Sequence, residues 1–144
     1  MALHIIKLCV GAESVEDLAQ WIEARLADRR AAGLPEEQVH TTRMTPRRAD
    51  EIIGEGSLYW VIKGFVQVRQ RILAIRPSVG RDGIERCDLV LEPVLYTTEM
   101  QPRRPFQGWR YLRPEDAPRD RPRGAGDEAI PDEMRRALAE LGLI

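Results

Sequence analysis

Arginine is the residue type in this chain best placed to do chemistry. Of the 22 basic residues only Lys7 and Lys63 are lysine, and a guanidinium grips phosphate or carboxylate in a planar fork and stacks on flat rings. Three clusters stand out. Arg43, Arg47 and Arg48 flank Thr45-Pro46, where a cap residue and a first-turn proline would offer free backbone N–H groups to an anion. Arg69 and Arg71 share one strand face with Gln67, while Val66, Val68, Ile72 and Ala74 share the other; the first face is expected to be wet and basic, the second buried. Arg103, Arg104 and Arg110 interleave with Phe106, Trp109 and Tyr111, which combines charge for phosphates with rings for base stacking, as single-stranded nucleic acid requires.

These clusters predict RNA, or another phosphate-bearing ligand, bound across Arg43, Arg47, Arg48, Arg69 and Arg71, with Arg103, Arg104, Phe106, Trp109 and Arg110 adding charge and stacking. Two other readings use the same residues. In one the arginines and aromatics anchor an acidic protein partner or a second copy of the chain, since Trp, Tyr and Arg are also the typical interface anchors. In the other the arginines pair with Asp50, Glu51, Glu55, Glu92 and Glu99 as a solvated surface, and Phe106, Trp109 and Tyr111 belong to the core.

His4, Cys9, His40 and Cys87 are the only histidines and cysteines. They include no tight pair of the kind zinc sites use, so no metal and no cofactor is expected, and the thiols are read as small core hydrophobes. A nucleophile elbow, a Walker loop, a His-Glu-x-x-His helix and a dinucleotide fingerprint are all missing. His40-Thr41-Thr42 matches the His-x-Thr unit of two-histidine phosphoesterases, but His4-Ile5-Ile6 lacks the hydroxyl that a second copy needs. What remains for catalysis is His40 as a lone general acid or base near Arg43, acting on a phosphorylated or nucleotide substrate.

The elements that must hold these residues follow from the 144-residue length and 43% hydrophobic content, enough for one domain with a core of its own. Residues 1–39 carry 4 basic and 7 acidic side chains, 40–110 carry 12 and 8, and 111–144 carry 6 and 8, so the middle is basic although the net charge is -1. No run approaches the ~18 apolar residues of a membrane span, and the first residues lack the pattern of a signal peptide, so a cytoplasmic location without membrane contact is expected.

Leu3 to Val10 reads as a buried strand. Ser14 caps a helix with Val15, Leu18, Ile22 and Leu26 on one face, ended near Gly33. Val39 to Met44 reads as a strand, Pro46 to Ile53 as a short helix, and Ser57 to Lys63 as a central strand, with Gly64 bending the chain into Phe65 to Arg76. Asp82-Gly83 turns the chain into Arg86 to Thr98, a strand interrupted by Pro93. Residues 1–112 form the core, 113–126 an irregular arm rich in Pro, Arg and Asp, and 127–144 a terminal helix packed on the core. The order predicts an α+β fold: a mostly antiparallel, partly closed sheet with an N-terminal helix, a short second helix and a C-terminal helix.

The runs His40-Thr41-Thr42-Arg43-Met44-Thr45-Pro46-Arg47-Arg48, Gly56 to Gly64, Val68 to Ile72 and Arg104 to Leu112 resemble an uncharacterised alphaproteobacterial family of small proteins classed as a domain of unknown function. The resemblance covers nearly the whole chain and implies a bacterial cytoplasmic setting, but no site residues. The helix, Gly-bounded strand and basic hairpin are also similar in outline to PUA-like barrels, which commonly bind RNA or modified bases, a likeness of fold alone.

Overall fold

The computed structural model describes residues 2–121; the helix expected over 127–144 and the end of the arm, 122–126, lie outside them. β1 (His4–Leu8) leads into α1 (Val15–Ala31), followed by β2 (Gln38–Thr42), the short α2 (Ala49–Ile52), β3 (Ser57–Ile62), β4 (Phe65–Val79), β5 (Glu85–Leu91), β6 (Tyr96–Pro102) and β7 (Trp109–Leu112). Local chemistry fixes α1 as expected: the Ser14 hydroxyl accepts from the Asp17 N–H at 3.1 Å, and Leu18, Ile22 and Leu26 are its buried stripe. The β3–β4 hairpin turns on Lys63 and Gly64, both at positive φ (53° and 83°), so Gly64 is one of two turn residues instead of a bend within a strand.

The strands form one mixed, mostly antiparallel sheet in the order β2-β5-β4-β3-β1-β7, with β6 also on β4. Only β1 and β3 run parallel. β4 is the spine: its first half pairs with β3 on one edge and β6 on the other, and Ile72 to Val79 pairs with β5. A register shift between Ile72 and Ala74 bends it there. β5 and β6 follow each other along one edge of β4, and the break between them contains Pro93, which has no N–H for the ladder.

The sheet is open, and the partly closed PUA-like barrel expected from the run of strands does not form. No ladder joins its two end strands, β2 and β7; instead β7 side chains bond the backbone of the loop that follows β2, the Trp109 indole N–H donating to the Met44 carbonyl at 2.7 Å and the Tyr111 hydroxyl accepting from the Arg48 N–H at 3.1 Å. β2 stops at Thr42, and Thr45-Pro46 turns the chain away before a backbone ladder with β7 can start.

The short helix is also corrected. It begins at Ala49, not at Pro46, and Arg48 stands at its cap position without a side-chain bond to the helix's free N–H groups. Thr45 and Pro46 lie in the preceding loop, so the helix terminus expected to favour an anion beside Arg43, Arg47 and Arg48 is absent.

The core occupies both faces of the sheet. On the first, Ile5, Leu58, Trp60, Ile62, Val68 and Ile72 pack with Leu18, Ile22 and Leu26 of α1 and with Leu89 and Leu91 of β5. On the second, Ile6, Tyr59, Val61, Val66 and Leu112 are buried with Phe106 and Ala117 against them. Gln67 causes a departure from the expected alternation. Trp60 pairs with Val68 but Val61 with Val66, so Gln67 is bulged and Val66 and Val68 fall on opposite faces. The face carrying Arg69 is therefore partly apolar and covered, not wet throughout. The segment after β7 covers part of it: Glu99 N–H donates to Arg119 C=O and Arg121 N–H to Thr97 C=O, both at 2.8 Å, which lays 119–121 beside β6.

Candidate functional site

Strand alternation and ion pairing divide the arginines and aromatics expected to act together. Arg69 is engaged on three sides: a two-pronged pair with Asp120 at 2.8 Å, a hydrogen bond to Ser57 Oγ at 2.8 Å, and the Tyr96 ring 4.4 Å from its guanidinium carbon. Arg71 bonds Glu92 and the Gly54 carbonyl, Arg48 forks onto Glu51 and lies over Tyr111, and Arg103 bonds Gln101. Glu51 and Glu92 are thus partners the solvated-surface reading named. β7 splits the aromatic segment. Arg110 pairs in register with Ile6 and stacks on Phe106 over the second face, whereas Trp109 pairs with Lys7 and packs on the first. Arg43, Arg47 and Arg104 are exposed and make no hydrogen bond or ion pair among the described residues. Of the ten residues expected to bind a ligand, Arg43 and Trp109 line one cavity together.

That cavity, about 330 Å³, is walled by Lys7, Thr41, Thr42, Arg43, Met44 and the 107–109 segment. A second of about 330 Å³ lies between the end of β1, α1 and β2, with Trp21, Arg25, Gln38, His40 and Trp60 in its wall. Lys7 and Thr41 line both. Lys7 is opposite Trp60 on β3 and Trp109 on β7 in register, so its side chain leaves the sheet between two indoles on the first face, one belonging to each cavity.

The second cavity is a pre-formed structure. Trp60 Nε1 donates to Gln70 Oε1 at 2.9 Å, and Gln70 Nε2 donates to Gln38 Oε1 at 2.6 Å and to the Glu92 carbonyl at 3.1 Å. This buried network fixes the floor. Trp21 stands half-exposed at the mouth, with Arg25 5.6 Å from its ring. Its ring tip lies so close to Gly11 that a Cβ there would come within 2.9 Å of it, and Gly11 sits at φ +93°. The His40 ring meets Trp60 edge-on at 5.1 Å.

The electrostatics of this wall are one-sided. No Asp or Glu lines either cavity. Burial pushes the Lys7 ammonium below its ordinary pKa, and Lys7 has no hydrogen bond or ion pair among the described residues. His40 is lowered to about 4 by burial first, then by Lys7 and Arg25, so it is neutral near pH 7. Its Nε2 is buried with no hydrogen-bond partner. Burial pushes Cys9, in the same wall, up to about 11. Among the described residues no group of three His, Cys, Asp or Glu could hold a metal ion, and no helix is long and apolar enough to cross a membrane.

Residues 5–144 match the family described as Protein of unknown function (DUF1489). The chain belongs to that family. No curated protein and no solved structure matches it. What this DUF1489 chain adds to the sequence reading is Lys7, Trp21, Arg25 and Gln38, none of them among the expected site residues. Lys7 did carry a signal: it is one of two lysines, set between Ile6 and Leu8 in a mostly apolar strand. Gln70 shares the face of Val68 and Ile72, and only the tertiary structure supplies the Trp60 and Gln38 partners that make it part of the cavity floor. Arg25 and Trp21 lie one helical turn apart on α1, at the i, i+4 spacing that places side chains together.

Proposed function

We propose that the protein binds a small phosphate-bearing ligand at Lys7, in the two cavities between β1, α1, β2 and β7. The observation that carries this reading is Lys7 itself. A partly buried ammonium in the wall of two cavities, with Arg25 at one and Arg43 at the other and no carboxylate lining either, offers an incoming anion charge that no protein carboxylate already neutralises. The cavities fall at the lower end of the range used for small ligands. This keeps the phosphate ligand expected from the sequence and moves it off the Arg69 and Arg71 face. A strand of RNA is less well served, because Arg48, Arg69, Arg71 and Arg103 are tied to partners and the aromatics face both sides of the sheet. Binding is preferred to turnover because no lining carboxylate is available to act with His40 as an acid–base pair.

Titration calorimetry with inorganic phosphate at low ionic strength tests the proposal. Lys7→Met should fold as well as the wild type, since it replaces a desolvated cation by an apolar chain of similar length, and should lose about tenfold or more in affinity. Arg104→Ala, which removes the same charge from an exposed residue outside the cavities, should bind as the wild type does. Equal loss in both variants, or no phosphate binding by the wild type, would overturn the proposal.

A further inference from the structure

We infer that the ligand is an aryl phosphate monoester, held in the cavity beneath α1 with its phosphate at Lys7 and Arg25 and its ring against Leu18, Trp21 and Trp60. The inference rests on the phosphate-binding reading above and narrows it to one cavity and one class of ester. Both cavities follow the same plan: a mostly apolar wall, an indole, an arginine and the shared Lys7. A ligand matched to that plan carries its anion directly on an apolar body. The cavity beneath α1 has the larger apolar wall, two indoles with Leu18 and Val39, where the cavity beside β7 has Trp109 and Met44. Flat indole surfaces favour a ring over an alkyl chain.

Charge is gathered at one end of this cavity. Leu18, Trp21 and Arg25 follow one face of α1 at helical spacing, which carries the wall about 10 Å from an apolar side chain to a guanidinium. Leu18, in the first turn, lies where the chain passes from β1 into the helix. Arg25 and Lys7 instead converge toward His40, since both charges act to keep its imidazole unprotonated. Like Lys7, Arg25 makes no hydrogen bond or ion pair among the described residues; its guanidinium lies 5.6 Å from the Trp21 ring. Two cations at one end of an apolar cavity suit an anion joined to a hydrocarbon ring. The neutral polar side chains of the wall leave little for a hydroxylated body to bond. Trp60 Nε1 donates to Gln70, Gln38 accepts from Gln70, the Thr41 hydroxyl donates to Asp88 at 2.8 Å, and His40 Nε2 is buried. A sugar placed there would lose water without recovering its hydrogen bonds, whereas an aromatic ring gains by burial and by contact with the indoles.

Calorimetric titrations with phenyl phosphate, ribose 5-phosphate and inorganic phosphate at low ionic strength test this. Phenyl phosphate should bind about tenfold or more tightly than inorganic phosphate, and ribose 5-phosphate no more tightly than inorganic phosphate. Trp21→Ala, at a half-exposed position, should remove most of the advantage of phenyl phosphate and leave inorganic phosphate binding unchanged. Arg25→Gln should weaken phenyl phosphate about threefold or more, and Arg43→Gln should leave it as in the wild type. If inorganic phosphate binds in a Lys7-dependent way but phenyl phosphate is no tighter than ribose 5-phosphate, the aryl inference falls and the anion site stands. If Arg43→Gln weakens phenyl phosphate and Arg25→Gln does not, the placement beneath α1 is overturned. If inorganic phosphate does not bind at all, both readings fall.

Discussion

His40 shows how one residue reports its surroundings. Its folded pKa of about 4 lies below the 6.5 of a free imidazole, so between those values the unfolded chain takes up a proton that the folded chain refuses. Stability is then full above about pH 6.5 and falls as pH drops toward 4. The contribution lost by about pH 4.5 is on the order of 2 kcal/mol. Urea unfolding at about pH 7 and about pH 4.5, on wild type and His40→Asn, isolates it: the wild type should lose more stability between the two than the variant does. His4, also lowered, mainly by burial, moves in the same direction in both proteins and cancels. A variant with the same acid loss as wild type would show that His40 is protonated in the folded state. Arg69 teaches a different lesson, since the sequence offered it as a solvent-facing cation and the fold spends it on Asp120, Ser57 and Tyr96.

Among the elements, the junction of α2 and β3 is the most constrained. Gly56 is buried where its missing Cβ would run into the carbonyls of Leu3 and Ile52, while its N–H donates to Ile52 at 2.7 Å and its carbonyl accepts from Ile72 N–H at 2.9 Å. β1, α2, β3 and β4 are locked together through one residue. Gly56→Ala should therefore cost about 1 to 3 kcal/mol through backbone displacement, read as a lower urea midpoint; a midpoint within error of wild type would mean the junction is slack. Helix α1 was legible because its cap and stripe are local. Strand β7 was not: its four residues, Trp109–Leu112, follow a Pro- and Arg-rich run, and only pairing with β1 makes them a strand. The same pairing decides which of its aromatics meet the cavity, because neighbours along a strand point to opposite faces.

For the molecule as a whole, the two cysteines act as reporters of a packed interior. Cys87 is buried on β5 between its neighbours β2 and β4, and Cys9 is buried just past the end of β1, with its thiol pushed up to about 11. Iodoacetamide at about pH 8 should label both slowly in the native protein, on the order of a hundredfold slower than a small free thiol, and quickly in urea. Rapid native labelling of Cys9 alone would mean that the cavity beneath α1 opens in solution. Both faces of the sheet are apolar near its centre, so the molecule has two packed layers around one open sheet, and its cations are sorted between them.

The sequence by itself determined the α+β class, the helix from Ser14, the positions of most strands, the break at Pro93 and the family to which the chain belongs. Those features depend on nearest neighbours in the chain: caps, periodicity, prolines and turn residues. Only the tertiary structure decided that the sheet stays open, that the bulge at Gln67 separates Val66 from Val68, and that Lys7 stands between Trp60 and Trp109. Register and pairing between distant strands settle which face a side chain takes, and a one-residue shift reverses it. The arginine clusters were close in sequence, but the partners that occupy or leave them are far along the chain, and no spacing rule could have placed them.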